Sequence, residues 1–308
     1  MHSELEKVAV AHGDRLKIIP IERLKELKEI VRNFKIQEKL NNFQNWIVDE
    51  LYQFEVPEQG FKVNSILIIA IPHPFCAKVD FYKEGKKRTF LSLVRSDFKA
   101  TEGYVHGYAK ENGYTVREAK NLPLKRLAVH SGLAKYGRNN ITYIQGLGSN
   151  FSYVAYFSDM VCGEDTWGEV KNAKACQKCK LCVKSCPTGA ILRERFLIDN
   201  QKCLSCLNEA PGRFPAWLPA KVHHTLYDCL ICQRVCPMND QQVDQVVESI
   251  SFTEEETDLL LAGKRIETFS EDMKAKIRLL GMGDWYGAIP RNLRVLFEQV
   301  EENQIAGL

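Results

Sequence analysis

From Ile21 onward the apolar side chains recur three and four positions apart: Ile21, Leu24, Leu27, Ile30, Val31 and Phe34. That spacing lines one face of a helix, and Pro20 just before it suits a first helical turn. Leu40, Phe43, Trp46, Ile47, Leu51 and Phe54 repeat the pattern. They predict a second helix with its aromatic rings in the core. Ser65–Pro72 breaks the period with a continuous, isoleucine-rich apolar run closed by Pro72 and Pro74, which predicts a buried strand. Thr89–Val94 predicts another strand. In Asn150–Ser158, Phe151, Tyr153, Ala155 and Phe157 fall on alternate positions, as in a half-buried strand. Helices are predicted over Tyr104–Glu111 and Pro123–Ser131. Strands interleaved with helices make residues 1–165 an α/β (α+β) layered domain.

The pattern changes near Cys162. Residues 166–242 are short of strand signals and rich in Cys and Pro, so they form a second domain. Residues 243–308 read as a helical C-terminal extension. There Thr253-Glu-Glu-Glu256 is a capping box ahead of Leu259–Leu261, and further helices are predicted over Met273–Leu280 and Asn292–Val300.

Composition narrows the class. The 308 residues are 45% apolar and 26% charged, the balance of a folded globular chain. A net charge of +3 argues against a surface built wholly for nucleic acid. No run approaches the ~18 apolar residues of a membrane span. The first twenty residues carry no apolar signal core and no twin arginine. A cytoplasmic protein with no membrane partner is expected.

Cysteine changes the picture most. The chain has 11, and nine lie from Cys176 to Cys236. A reducing compartment does not keep so many for disulfides. Cys176-Gln-Lys-Cys179-Lys-Leu-Cys182-Val-Lys-Ser-Cys186-Pro187 has the C-x2-C-x2-C-x3-C-P spacing of bacterial ferredoxins, and Cys229-Leu-Ile-Cys232-Gln-Arg-Val-Cys236-Pro237 repeats its second half. Three thiolates on a tight loop can cap three corners of a cubane, while the fourth starts a helix that leads away to the other cluster. Two [4Fe–4S] clusters follow. Cluster one takes Cys176, Cys179, Cys182 and the distant Cys236. Cluster two takes Cys229, Cys232, the distant Cys186, and either Cys203 or Cys206. Cys76 and Cys162 are expected to be structural thiols.

Upstream, Ser131-Gly-Leu-Ala-Lys-Tyr-Gly-Arg-Asn139 is followed by Gly146-Leu-Gly-Ser149 and a strand. Set before a double-cubane segment, this resembles the epoxyqueuosine reductase family and, more distantly, the reductive dehalogenases. The family pattern is A-G-L-G-x-x-G-[KR]-N, a spacer, then G-S/P. Gly132, Leu133, Gly137, Arg138, Asn139, Gly148 and Ser149 match it. Cys186-Pro-Thr-Gly-Ala-Ile191 resembles C-P-T-x-A-I, and Asp228-Cys-Leu-Ile-Cys-Gln-Arg-Val-Cys-Pro-Met-Asn239 resembles G-C-D-x-C-Q-x-V-C-P-x-N. Pro290-Arg-Asn-Leu293 resembles the family's C-terminal R-N helix. The resemblance implies cobalamin as a further cofactor, with Gly132, Gly137, Arg138, Asn139, Gly148 and Ser149 as the residues that hold it. It also implies Cys203 as the last ligand of cluster two, with Cys206 the alternative.

Departures from the pattern bear on the substrate. The family's V-D-[ST]-x-P-x-x-E-R segment corresponds to Ala119–Arg126, which puts Lys120 at the acid and Lys125 at the Glu. Lys135 replaces the family's Trp. Tyr136 is the preferred proton donor, with Lys120, Tyr104 and His106 as other candidates, since a reductively broken bond needs a proton. The loop's expected neighbour is cluster two. The expected function is a cobalamin-dependent reductase fed by a low-potential donor, ferredoxin or flavodoxin. Its substrate would be a small molecule or modified nucleoside, with tRNA less favoured and epoxyqueuosine handled poorly. The alternative is an electron-transfer activator that reduces a corrinoid or other acceptor on a partner protein.

Overall fold

A computed structural model describes residues 4–58, 60–194 and 197–305. The chain divides into two compact units. One gathers the chain up to His73 with Ser96–Cys179. The other gathers Pro74–Arg95, Lys180–Glu194 and the chain from Ile198 onward.

Helices α1 (Glu4–Ala11), α2 (Arg23–Gln37) and α3 (Asn42–Trp46) accompany strands β1 (Arg15–Pro20) and β2 (Ser65–Pro72) in the first unit. The hairpin β3 (Cys76–Lys83) and β4 (Lys86–Ser92) belongs to the second unit. The first unit resumes with α4 (Phe98–Glu111), β5 (Val116–Glu118), α5 (Leu124–His130), the short ladder β6 (Lys135–Tyr136) with β7 (Thr142–Tyr143), and β8 (Phe151–Ser158). In the second unit follow α6 (Leu181–Ser185), α7 (Leu204–Glu209), α8 (Ile231–Arg234), β9 (Val246–Phe252), α9 (Glu254–Leu261), α10 (Glu271–Leu279) and α11 (Ile289–Ile305).

The first unit is a three-layer sandwich around an antiparallel sheet of order β1-β2-β8-β5. Ile66, Ile68 and Ala70 of β2 pack with Ala155 and Phe157 against Leu24, Leu27 and Val31 of α2 and Leu127–Val129 of α5. Leu67, Ile69 and Ile71 face the other way, against Leu5 and Ala9 of α1 and Val105 and Ala109 of α4. Helices therefore cover both faces, which is why β2 is apolar at every position after Ser65 rather than at alternate ones. The same cover buries β8 from Val154 to Ser158 on both faces, so it is not the half-buried strand expected. Pro20 ends the edge strand β1 instead of starting a helix. Its missing N–H costs no ladder bond there. The aromatic rings expected in the core after Leu40 do not all reach it: Phe43 and Trp46 are 44% and 49% exposed and stack on each other.

In the second unit β3 pairs antiparallel with β4 and parallel with β9. Phe81 and Phe252 stack at 5.1 Å across the parallel pair. Leu260, Met273, Ile277, Leu293 and Phe297 from α9, α10 and α11 close over them. Thr253 and Glu256 form the expected capping box. The C-terminal segment is thus more than a row of helices, because β9 anchors it to a hairpin drawn from the N-terminal third. No helix among the described residues is long and apolar enough to cross a membrane.

Candidate functional site

The glycine-rich segment of the first unit begins where α5 ends. Buried Ser131 donates from Oγ to the Ala128 carbonyl, and its own carbonyl accepts from Thr166 Oγ1 at 2.7 Å. Tyr136 then pairs through its backbone with Lys171 and Ala173. At Gly137 a side chain has no room, since a Cβ would stand 2.5 Å from Tyr143 Cε2 and 2.7 Å from Asn139 Oδ1. The turn is closed by Gly137 N–H to the Ile141 carbonyl at 2.7 Å. Asn139 is a staple of this turn: its Nδ2 donates to Tyr143 OH at 2.9 Å, and its Oδ1 accepts from Ile141 N–H. Arg138 is buried and donates from Nη2 to the Cys176 carbonyl at 3.3 Å. The loop is therefore bound to the first cysteine of the run, whereas the sequence reading expected a cluster-two neighbour.

Further along, Gly148 adopts φ 60 and gives its carbonyl to Ile144 N–H at 2.9 Å. Ser149 and Asn150 are buried behind it. Asn150 Nδ2 has no hydrogen-bond partner among the described residues. A buried amide donor left open beside a left-handed glycine suits a ligand rich in amide carbonyls, which the corrin side arms are. Sequence reasoning missed Asn150. It named Arg138 and Asn139 as ligand contacts, whereas the structure gives both side chains internal partners.

The proton-donor candidates separate clearly. Tyr136 is buried in this loop, where loss of solvent raises its phenol well above the ordinary value, partly offset by Arg126. At neutral pH it keeps its proton. Arg126 lies over the Phe34 ring at 4.0 Å and also acts electrostatically on Tyr52. Lys120, by contrast, has a side chain 74% exposed and sits 3.8 Å from Glu118. Tyr104 donates to Asp14 at 2.9 Å, and His106 packs edge-on against Tyr156.

The second unit holds the remaining cysteines, from Cys182 onward. Helices α6 and α8, which lie within the two repeated motifs, pack together. Cys203 caps the N-terminus of α7, and Cys206 stands inside that helix. Burial pushes the Cys229 thiol up to about 12, with Cys203, Asp228 and Cys186 adding to the rise as negative neighbours. Cys186 and Cys203 are thus both within electrostatic reach of Cys229. Cys229 lies between Asp228 (φ 52) and Leu230 (φ 59), both left-handed, which is uncommon for residues other than glycine. The resembled motif has Gly at the position of Asp228. Here the conformation is held by hydrogen bonds to the Asp228 carbonyl from Asn208 Nδ2 at 2.8 Å and Thr225 Oγ1 at 3.0 Å. His224 spans the carbonyls of Val222 and Cys229, at 2.9 Å from Nδ1 and 2.6 Å from Nε2. Burial raises the Asp228 carboxyl far above its usual range and Glu209 up to about 7.

Residues 175–239 match the 4Fe-4S double cluster binding domain. Epoxyqueuosine reductase of Cyclobacterium marinum is 31% identical over 184 residues, which is 59% of this chain and 55% of that protein. The enzyme of Aliivibrio fischeri is 31% identical over 185 residues, 59% of this chain and 46% of that protein. The chain spans about half the length of these relatives. A crystal structure of selenomethionine-labelled epoxyqueuosine reductase shares the fold with a TM-score of 0.69 at 18% identity, over 95% of this chain and 80% of that one. Epoxyqueuosine reductase solved with an epoxyqueuosine-modified tRNA stem loop superposes with a TM-score of 0.63 at 18% identity, over the same shares.

Proposed function

We propose, from the premise that this chain is an epoxyqueuosine reductase-like protein with a double [4Fe–4S] domain, that it is a cobalamin-dependent iron–sulfur reductase. The observation that carries the reading is the bond from Arg138 to the Cys176 carbonyl, which ties the glycine-rich loop to the first cysteine of the cluster run. Cys176, Cys179, Cys182 and Cys236 would hold cluster one, and Cys186, Cys203, Cys229 and Cys232 cluster two. Cobalamin, when bound, supplies low-potential reducing chemistry at its cobalt. The chain supplies the setting. Gly137 and Asn139 fix the loop's shape, Asn150 Nδ2 offers a donor to an amide arm, and Gly132, Gly148 and Ser149 leave backbone close to the rim. Tyr136 keeps a proton in a dry position for delivery to the substrate.

Electrons would come from a ferredoxin- or flavodoxin-type donor in a reducing cytoplasm. The substrate class is a modified nucleoside or small molecule. Since Lys120 stands exposed where the relatives' pattern has an acid, reduction of epoxyqueuosine should be poor.

Two assays on one anaerobic preparation test this. Visible spectroscopy should show corrinoid bands that shift on binding, and an epoxyqueuosine-containing anticodon stem-loop should be reduced slowly or not at all. Clusters without corrinoid binding would replace the reading with an electron carrier. Fast reduction of the stem-loop would overturn the substrate argument.

A further inference from the structure

The C-terminal helix α11 reaches the cysteine segment through two consecutive side chains. Asn292, buried at 1% exposure, donates from Nδ2 to the Asn208 carbonyl at 2.7 Å and to the Leu226 carbonyl at 2.8 Å. Asn208 lies in the last turn of α7, whose N-cap is Cys203, and Leu226 opens the turn that carries Cys229. One amide group therefore spans the two pieces of chain. Its orientation is set by its neighbour, because Asn292 Oδ1 accepts from Arg291 Nη2 at 2.8 Å and Nε at 3.0 Å. A flipped amide would turn its oxygen towards two carbonyls and its donors towards a guanidinium.

Arg291 is fixed in turn. It donates to the carbonyls of Leu207 and Gly212, both at 2.9 Å, and lies over the Phe214 ring at 3.7 Å. Its loss of solvent lowers the guanidinium to about 10. Asn208 completes the link: Nδ2 donates to the Asp228 carbonyl, and Oδ1 accepts from His223 Nδ1 at 2.9 Å. From Arg291, itself half-buried, to the residue before Cys229 the polar contacts are continuous, and Asn292, Asn208 and Asp228 along that path are buried. Groups this enclosed transmit a displacement rather than absorb it.

We propose that Arg291 and Asn292 are positioning residues for cluster two, setting the distance between the Cys203 helix and the Cys229 turn. They touch neither cysteine. They act through Asn208, Leu226 and Asp228. This rests on the assignment of Cys186, Cys203, Cys229 and Cys232 to one cluster, which the iron content of Cys203→Ser, about four against about eight in the unaltered protein, tests separately.

The experiment compares Asn292→Asp and Arg291→Lys with the unaltered protein after anaerobic reconstitution. Asn292→Asp keeps the shape and the Arg291 pairing but sets an oxygen against two carbonyls. It should lower iron to about four per chain, with one cluster's paramagnetic signal intact. Arg291→Lys keeps the charge and loses the two-nitrogen grip on Asn292. It should retain about eight irons and shift the midpoint potential and signal of one cluster only. Should Asn292→Asp fail to fold, as judged by circular dichroism, Arg291→Lys decides. Unchanged potentials and signals of both clusters would overturn the proposal. So would an equal disturbance of the two.

Discussion

Gly137→Ala isolates the steric demand of the loop. Gly137 is not in a left-handed conformation, so an alanine adds no backbone penalty and the effect is one of space alone. The new methyl would lie 2.5 Å from Tyr143 Cε2 and 2.7 Å from Asn139 Oδ1. Tyr143 is buried at 5% exposure and cannot swing into solvent. Overpacking of this kind costs about 1–3 kcal/mol. Moving Asn139 also strains its bonds to Tyr143 OH and from Ile141 N–H, at about 1 kcal/mol for a net loss. The sum is about 2–4 kcal/mol, which for a unit of this size lowers the melting temperature by at least about 4 °C. Thermal unfolding followed by circular dichroism measures it. The same substitution in a Tyr143→Ala background should cost less than half as much, because the nearest obstructing ring is gone. An effect below about 0.5 kcal/mol, or an equal penalty in both backgrounds, would refute the reasoning.

Iron and sulfide analysis of Cys203→Ser should show about four of each per chain in place of about eight, while Cys206→Ser keeps both clusters; the reverse result would transfer the ligand role to Cys206. Burial lowers the folded-state pKa of His130, whose Nδ1–H donates to the Gly168 carbonyl at 2.7 Å. The folded state disfavours the charged form, so this contribution to stability is fully present above about pH 6.5 and is lost as pH falls through the lowered folded value. Urea unfolding at pH 7.5 and 5.0 should show a larger loss for the unaltered protein than for His130→Gln, and equal losses would exclude the effect.

The sequence disclosed the elements whose signals are local. Ser65–Pro72 is a strand over the full predicted span, and Thr253 caps its helix as read. The thiol spacing announced two clusters because ligand geometry is written in short intervals. What escaped notice was set by distant partners. Val246–Phe252 carries Glu248 where alternation would need an apolar side chain, and it lies beside helices in sequence, so only pairing with Cys76–Lys83 gives it a place. The aromatic rings of Phe43 and Trp46 follow a helical period without finding a core, and at Ile47 the chain passes into a π-helical turn, Ile47–Leu51, which breaks that period. Lys120 and Asn139 stood at suggestive positions, but side-chain partners decide a role. The sequence could not show that Asn139 is occupied by Tyr143 while Asn150 Nδ2 is open.

The parallel pairing of β3 with β9 has a temporal side. Lys78 and Glu248, which meet across that pair, are 170 positions apart. At a synthesis rate of about 5–20 residues per second, the early hairpin waits roughly 10–30 s on the ribosome before its third strand exists. Every cysteine of the repeated motifs emerges during that wait. Metal delivery thus meets an open chain, and the late strand shuts the second unit around cysteines that have already had the chance to load. Until β9 emerges the β3 edge stands uncovered, a surface prone to pair with the wrong strand.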